Sequence, residues 1–279
     1  MINSETGYDA EAFDAFEAAG WAAKDVSAYD TLAGRVTSRL ADTLLDAVGA
    51  RSGVRLLDVA TGPGYLAERA AERGADVVAL DFSEAMLAHA RSRVRGVEFV
   101  HGDAMALPFP DGAFDAVAGA FVLLHLGSPE RAAAEAARVV RPGGMVAFTV
   151  WDVPSRSRWL GVLLDAVAHV GAEPSSEVPA GPPIFRFADD AEFRGLLTDA
   201  GLDDIRVEPI EFSLALDSAD ELWHGLVEGT VRVRPLVQAQ TDVVQRAIRT
   251  RFDELLDEYR VRDGFAVPVA VKLASGRKP

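Results

Sequence analysis

Residues 54–81 read VRLLDVATGPGYLAERAAERGADVVALD, and the fold is decided within them. Residues 54–59 are a short apolar run that reads as a strand. Thr61-Gly62-Pro63-Gly64 interrupts it, and residues 63–73 then follow helical spacing, with Pro63 tolerated in a first turn and Gly74 as the stop. Residues 76–80 form a second strand. Its Val77, Val78, Ala79 and Leu80 are apolar without alternation, as in a parallel strand covered on both faces.

The same grammar continues toward the C-terminus. Ser83 caps a helix at 84–94, and residues 97–100 and 114–121 are the third and fourth strands. Ser128 and Pro129 open an Ala-rich helix at 128–140, Pro142-Gly143-Gly144 makes a turn, and residues 145–150 are the fifth strand. Strands alternating with helices imply an α/β fold with a doubly wound, mostly parallel sheet. Beyond Trp151 the alternation loosens. Helices are expected at 159–170, 189–200, 219–228 and 236–259, and strands at 205–214 and 265–274, the last returning to the sheet as its seventh strand. Between them, residues 171–187 carry Pro174, Pro179, Pro182 and Pro183 and read as a long loop. Toward the N-terminus, residues 1–30 are acidic and helix-prone, with Phe13, Phe16, Trp21 and Tyr29, and read as a mobile amphipathic cap. Leu32, Val36, Leu40, Leu44, Leu45 and Val48 then recur at helical spacing up to Gly49. The expected organisation is one domain over 1–279: a helical cap (1–50), a core (51–151) and an elaboration with helical lid insertions and the last two strands (152–279).

Composition narrows the function. The 279 residues carry 28 Lys and Arg against 43 Asp and Glu, a net charge of −15. Such a chain is repelled by phosphate backbones, and its basic residues are scattered, so nucleic acid is not an expected partner. The absence of cysteine removes disulfides, thiolate metal sites and a cysteine nucleophile. No His pair has metal-ligand spacing with carboxylate support, so no metal is expected. Residues 1–5 carry no leader pattern, and no apolar run is long enough to span a bilayer, so a cytoplasmic protein without a membrane partner is expected. The pattern suits a monomer as well as a homodimer.

Three consecutive strands end in acids: Asp58, Asp81 and Asp103. In open α/β sheets ligands bind beyond the carboxyl ends of the strands. Gly62 and Gly64 let backbone approach a ligand. Asp81, seventeen residues past Gly64, stands where an acid accepts two ribose hydroxyls. Asp103 is placed for a purine amino group, and Phe82 and Met86 for the purine face. Gly62-Pro63-Gly64-Tyr65-Leu66-Ala67 also satisfies a loose G-x-G-x-x-A, which a nicotinamide dinucleotide site uses. However, Asp58 at the loop entrance repels a pyrophosphate and welcomes an ammonium. The implied ligand is an adenosine with a cationic, amino-acid-like tail.

These residues carry a resemblance. Residues 54–64 (VRLLDVATGPG), 76–90 (DVVALDFSEAMLAHA), 102–117 (GDAMALPFPDGAFDAV) and 138–151 (RVVRPGGMVAFTVW) resemble the motifs of class I S-adenosylmethionine (SAM)-dependent methyltransferases. The similar subgroup is the small-molecule enzymes of ubiquinone and menaquinone biosynthesis. Residues 199–210 (DAGLDDIRVEPI) resemble the family's run into its sixth strand. The resemblance implies a Rossmann-like sheet, SAM as cofactor, and methyl transfer by in-line displacement to an O, N or C atom of a small-molecule acceptor. It implies that Asp58 and the backbone of Thr61, Gly62 and Gly64 hold the methionine end, although Asp58 has the alternative of bracing the loop. Asp81 then binds ribose, Phe82 and Met86 flank adenine, and Asp103 and Ala104 meet its edge, with Ser83 and Met105 also among the cofactor-binding residues. Phe121 lies beside the methyl group, and Trp21 and Tyr29 close over the site. Ala60 departs from the glycine common in the family loop, leaving less room beside the methionine tail.

Among the histidines, His125 follows the fourth strand where the acceptor belongs. It is the candidate general base, or else a hydrogen-bonded structural residue. His89 reads as solvated, His101 as a core or rim residue, and His169 and His224 as candidates for a pocket wall. Trp151, Trp159 and Trp223 read as packing residues, and Phe185 and Phe187, beyond the proline loop, as a candidate acceptor contact or a packing segment. Three alternatives stay open: a SAM-binding enzyme catalysing a non-methylating cyclisation or isomerisation, a nicotinamide-dependent oxidoreductase, and a non-catalytic binding module.

Overall fold

The computed structural model describes residues 7–23, 26–173 and 178–279. Residues 1–5, Lys24, Asp25 and Pro174, which entered the sequence reading, lie outside them. Three helices lead in: α1 (Ala10–Ala22), α2 (Val26–Thr31) and α3 (Ala33–Ala47). The alternating segment follows as β1 (Arg55–Val59), α4 (Tyr65–Glu72), β2 (Asp76–Asp81), α5 (Glu84–Arg93), β3 (Glu98–His101), β4 (Phe114–Ala120), α6 (Pro129–Val139) and β5 (Val140–Trp151). The remainder comprises α7 (Arg158–Val170), α8 (Asp190–Asp199), β6 (Asp203–Leu216), α9 (Ala219–Gly229), α10 (Arg234–Gln238), α11 (Asp242–Leu256), β7 (Arg260–Val261) and β8 (Gly264–Arg277).

Seven strands lie in the order β3-β2-β1-β4-β5-β8-β6, and the two-residue β7 pairs with β8 off this path. Strands β3 to β5 are mutually parallel; β8 runs antiparallel to both β5 and β6. The expected mostly parallel, doubly wound α/β sheet is thus present. The extra strand β7 went unpredicted because two exposed residues carry no apolar pattern. Successive residues of β1 serve opposite faces, as strand pleating dictates. Leu56 joins Val77 and Ala116 beneath α3 and α4, whereas Leu57 joins Val78 and Val117 beneath α6 and α8.

Several boundaries differ from the sequence reading for local reasons. Helix α4 starts at Tyr65, because Gly64 sits at the N-cap with φ +87° and leaves Pro63 in the loop. The helix expected at 236–259 is two, α10 and α11, because Thr241 adopts extended backbone and caps the second. Strand β4 stops at Ala120 because Phe121 takes φ +56°, a conformation no strand continues through. Nor does the N-terminal cap lie loose over the core. Phe13 is fully buried, with the Arg232 guanidinium 5.1 Å from its ring centre. Among the described residues, no helix is long and apolar enough to cross a membrane.

Candidate active site

The strand order reverses at β1, whose neighbours are β2 and β4. A crevice therefore opens beyond the carboxyl ends of these strands. It holds an open cleft lined by Ala60, Gly62, Asp81, Phe82, Ser83, Met86, Asp103, Ala104, Phe121, Trp21, Tyr29 and His125, with Leu80, Val122 and Leu126 among its apolar walls. Most of the residues singled out in the sequence thus meet in one place. Asp58, Thr61, Gly64 and Met105 do not line this cleft; they stand behind it.

The loop after β1 is held by Asp81. One carboxylate oxygen accepts the Gly62 N–H at 2.8 Å and the other the Ser83 N–H at 2.8 Å. Two oxygens carry about four lone-pair sites, so acceptor capacity remains on a side chain that faces the cleft while 95% of it is withdrawn from solvent. Burial raises the Asp81 carboxyl above the usual range, opposed by its backbone N–H partners and by the nearby His101. His101 is a rim residue whose Nε2 pairs with the Phe82 carbonyl at 2.8 Å. Ser83 caps α5, and Asp103 turns an oxygen to the Met105 N–H at 2.8 Å.

Asp58 faces inward. It is 1% exposed and accepts the Thr61 hydroxyl at 2.6 Å, which is the bracing arrangement. Desolvation pushes its carboxyl up to about 7, against the pull of the Thr61 hydrogen bond. The folded chain therefore holds a proton that an unfolded Asp, at 3.8, gives up. Stability from this group is full at low pH and is lost as pH rises from about 4 through 7. Asp58→Asn keeps an oxygen for Thr61, and we expect it to flatten the fall in melting temperature between pH 5 and 8. Equal slopes for the two proteins in a thermal-melt series would contradict this.

Two non-glycine residues with left-handed backbone, Ala60 (φ 57°) and Phe121 (φ 56°), line the cleft. Such strain concentrates at sites where the surrounding structure enforces it. Phe121 stacks on Trp151 with ring centres 3.8 Å apart.

A second cavity adjoins the first. Trp21, Tyr29, Phe121 and His125 line both. Leu124, Ile184, Trp151, Trp159 and Arg232 help to line the second alone. Trp151 and Trp159 thus combine packing with a cavity wall; the Trp159 Nε1 is buried with no hydrogen-bond partner among the described residues. Trp223 packs on Phe252. Phe187 packs against Phe193, and neither Phe185, Phe187, His169 nor His224 lines either cavity. His89 is not simply solvated: its Nε2 lies 3.1 Å from Asp30.

Sequence reasoning missed Glu17 and Arg232. Glu17 is buried, and one of its oxygens lies 3.0 Å from His125 Nδ1 and accepts the Trp21 indole N–H at 3.0 Å. The signal was legible: Phe13, Glu17 and Trp21 are spaced four apart, placing an acid within the apolar stripe of a helix.

A family profile described as a methyltransferase domain matches residues 57–148. A demethylmenaquinone methyltransferase of Renibacterium salmoninarum is 34% identical over 214 residues, covering 74% of this chain and 88% of the relative. Among solved structures, the YcgJ protein from Bacillus subtilis aligns with a TM-score of 0.55 at 20% identity, over 86% of this chain and 98% of that one. Phosphoethanolamine N-methyltransferase 2 of Haemonchus contortus, solved with S-adenosylhomocysteine, aligns with a TM-score of 0.52 at 18% identity, over 86% of this chain and 52% of that one. At these identities the structural likeness is one of fold.

Proposed function

The chain belongs to the class I SAM-dependent methyltransferases, and from that premise we propose that the first cleft holds SAM and the second cavity holds a small-molecule acceptor of the quinol type. The observation that carries this reading is the shared wall. Trp21, Tyr29, Phe121 and His125 stand between a cleft rimmed by buried acid and a cavity rimmed by aromatic rings.

The donor set of the first cleft suits SAM. Asp81 has spare acceptor capacity for ribose hydroxyls, Phe82 and Met86 offer apolar cover for adenine, and Asp103 and Ala104 stand for its edge, with Ser83 and Met105 beside them. On this reading Asp58 acts through the loop, bracing Thr61 and Gly64 behind the cleft so that Ala60 and Gly62, which line it, meet the amino-acid tail. When bound, SAM supplies an electrophilic methyl group. The chain's own work is positioning and proton handling. Phe121, Trp151 and Trp159 orient a flat acceptor, and the unpartnered Trp159 N–H offers a hydrogen bond to an acceptor oxygen. His125 takes the acceptor's proton, and α1 and α2 help exclude water from the junction. The demethylmenaquinone relative supports a quinol acceptor. The division of one domain into cap (1–50), core (51–151) and elaboration (152–279) belongs to this reading, as does a cytoplasmic enzyme.

The test is incubation with SAM and a demethylated naphthoquinol, followed by mass spectrometry. We expect a product heavier by one CH₂ unit. Consumption of acceptor without mass change would point instead to a cyclisation or isomerisation. His125→Gln is expected to lower kcat on the order of 10²-fold, the usual scale for losing a positioned base, with SAM affinity kept. Unchanged kcat would remove His125 from that role.

A further inference from the structure

We propose that Glu17 is a positioning residue that fixes which nitrogen of His125 carries the proton, so that the base is complete only while α1 is docked. This builds on the assignment of His125 as the base.

The geometry is specific. His125 sits at the end of a 3₁₀ turn, Leu123–His125, and its Nδ1 lies 3.0 Å from a Glu17 oxygen contributed from 108 residues earlier in the chain. A carboxylate can only accept, so the neutral imidazole must place its proton on Nδ1 and leave Nε2 bare. A bare Nε2 is what proton abstraction requires. Trp21 Nε1 donates to the same Glu17 oxygen at 3.0 Å, and its ring stands edge-on to the imidazole, centres 5.1 Å apart at 88°. The other Glu17 oxygen is buried with no hydrogen-bond partner among the described residues, and the Arg232 guanidinium is 3.9 Å away. Burying a carboxylate so sparsely satisfied costs stability, and a core position of this kind is more cheaply filled by an apolar side chain. Here the carboxylate instead faces the one histidine at the junction of the two cavities.

Helix α1 is also stitched to the turn that carries His125. The Tyr8 hydroxyl donates to the Gly127 carbonyl at 3.0 Å, and Asp14 accepts the Gly127 N–H at 2.6 Å. Gly127 has to be glycine for this approach, since a Cβ there would sit 2.6 Å from the Ala10 carbonyl oxygen. Docking of α1 and orientation of the imidazole are thus one event.

The direct test is ¹⁵N NMR of the ligand-free, full-length protein, with the His125 signals assigned by their loss in His125→Gln. In alkaline buffer, wild type is expected to show the Nδ1–H form. Glu17→Met, which removes the acceptor at similar length, is expected to shift His125 toward the Nε2–H form. Glu17→Gln, which keeps the shape, gives a mixture and serves if the methionine variant does not fold. An Nε2–H form in wild type, or an unchanged tautomer in both variants, overturns the proposal. With a demethylated naphthoquinol as probe, Glu17→Met should lower kcat on the order of 10²-fold, the scale of losing a positioned base, leave the Kd for SAM within about twofold, and cost nothing further on top of His125→Gln. Independent, multiplying losses would overturn it. If His125→Gln alone keeps full kcat, the base assignment fails, while the tautomer measurement still decides whether Glu17 sets the proton.

Discussion

Replacing Asp81 with alanine is expected to weaken SAM binding by two to four orders of magnitude. On the proposed reading two ribose hydroxyls meet this carboxylate. A hydrogen bond to a charged group contributes ~1.5–3 kcal/mol, and each ~1.4 kcal/mol is tenfold in Kd. Solvent screening gives little relief, because the side chain is buried. The substitution also frees the Gly62 and Ser83 N–H groups, so the loop itself loosens. Asp81→Asn, which keeps one acceptor oxygen, should fall between wild type and alanine. Calorimetry checks this directly. A well-folded alanine variant binding SAM within threefold of wild type would show that Asp81 organises the loop without touching ribose.

Phe13→Ala is expected to undock the N-terminal cap. The ring is fully buried, and removing a buried Phe side chain costs about 3–5 kcal/mol through lost transfer energy and the cavity left behind. The contact of Arg232 with the ring face goes with it. Because α1 lies at the edge of the fold, the loss should appear as local opening before global unfolding. Hydrogen exchange over Ala10–Ala22 should speed up while β1, β4 and β5 keep their protection, and methyl transfer should fall as the Glu17–His125 contact is lost. Unchanged protection of α1 would mean that other contacts hold the cap.

The parallel half of the sheet was legible because its signals are local. The continuous apolar run from Val77 to Leu80, the stop at Gly74 and the capping Ser83 each report the element they belong to. Asp81 was legible for the same reason, since it closes β2; Asp103 lies in the turn two residues past β3 and still lines the cleft. Asp58 was harder. Its position at the strand end is the same, yet the loop turns Thr61 onto it, and only three-dimensional structure reveals that contact. Glu17, His125 and Arg232 came together from distant segments; no spacing rule links residue 17 to 125 or 232. The split between α10 and α11 was missed because Thr241, a weak breaker on propensity alone, becomes decisive when its hydroxyl caps the next helix.

Strand β8 has a consequence for how the protein is made. It lies between β5 and β6, and among the described residues β6 has no other partner in the sheet. On the ribosome, β1 to β5 can pair as they emerge, but the fourteen residues of β6 must wait, unpaired, until the chain has reached residue 277. Such non-local pairing is slow, and a waiting strand edge is open to wrong partners. Pauses or truncations between residues 217 and 263 should therefore be the points at which synthesis most readily yields aggregate, although the cofactor motifs are already complete by Trp151.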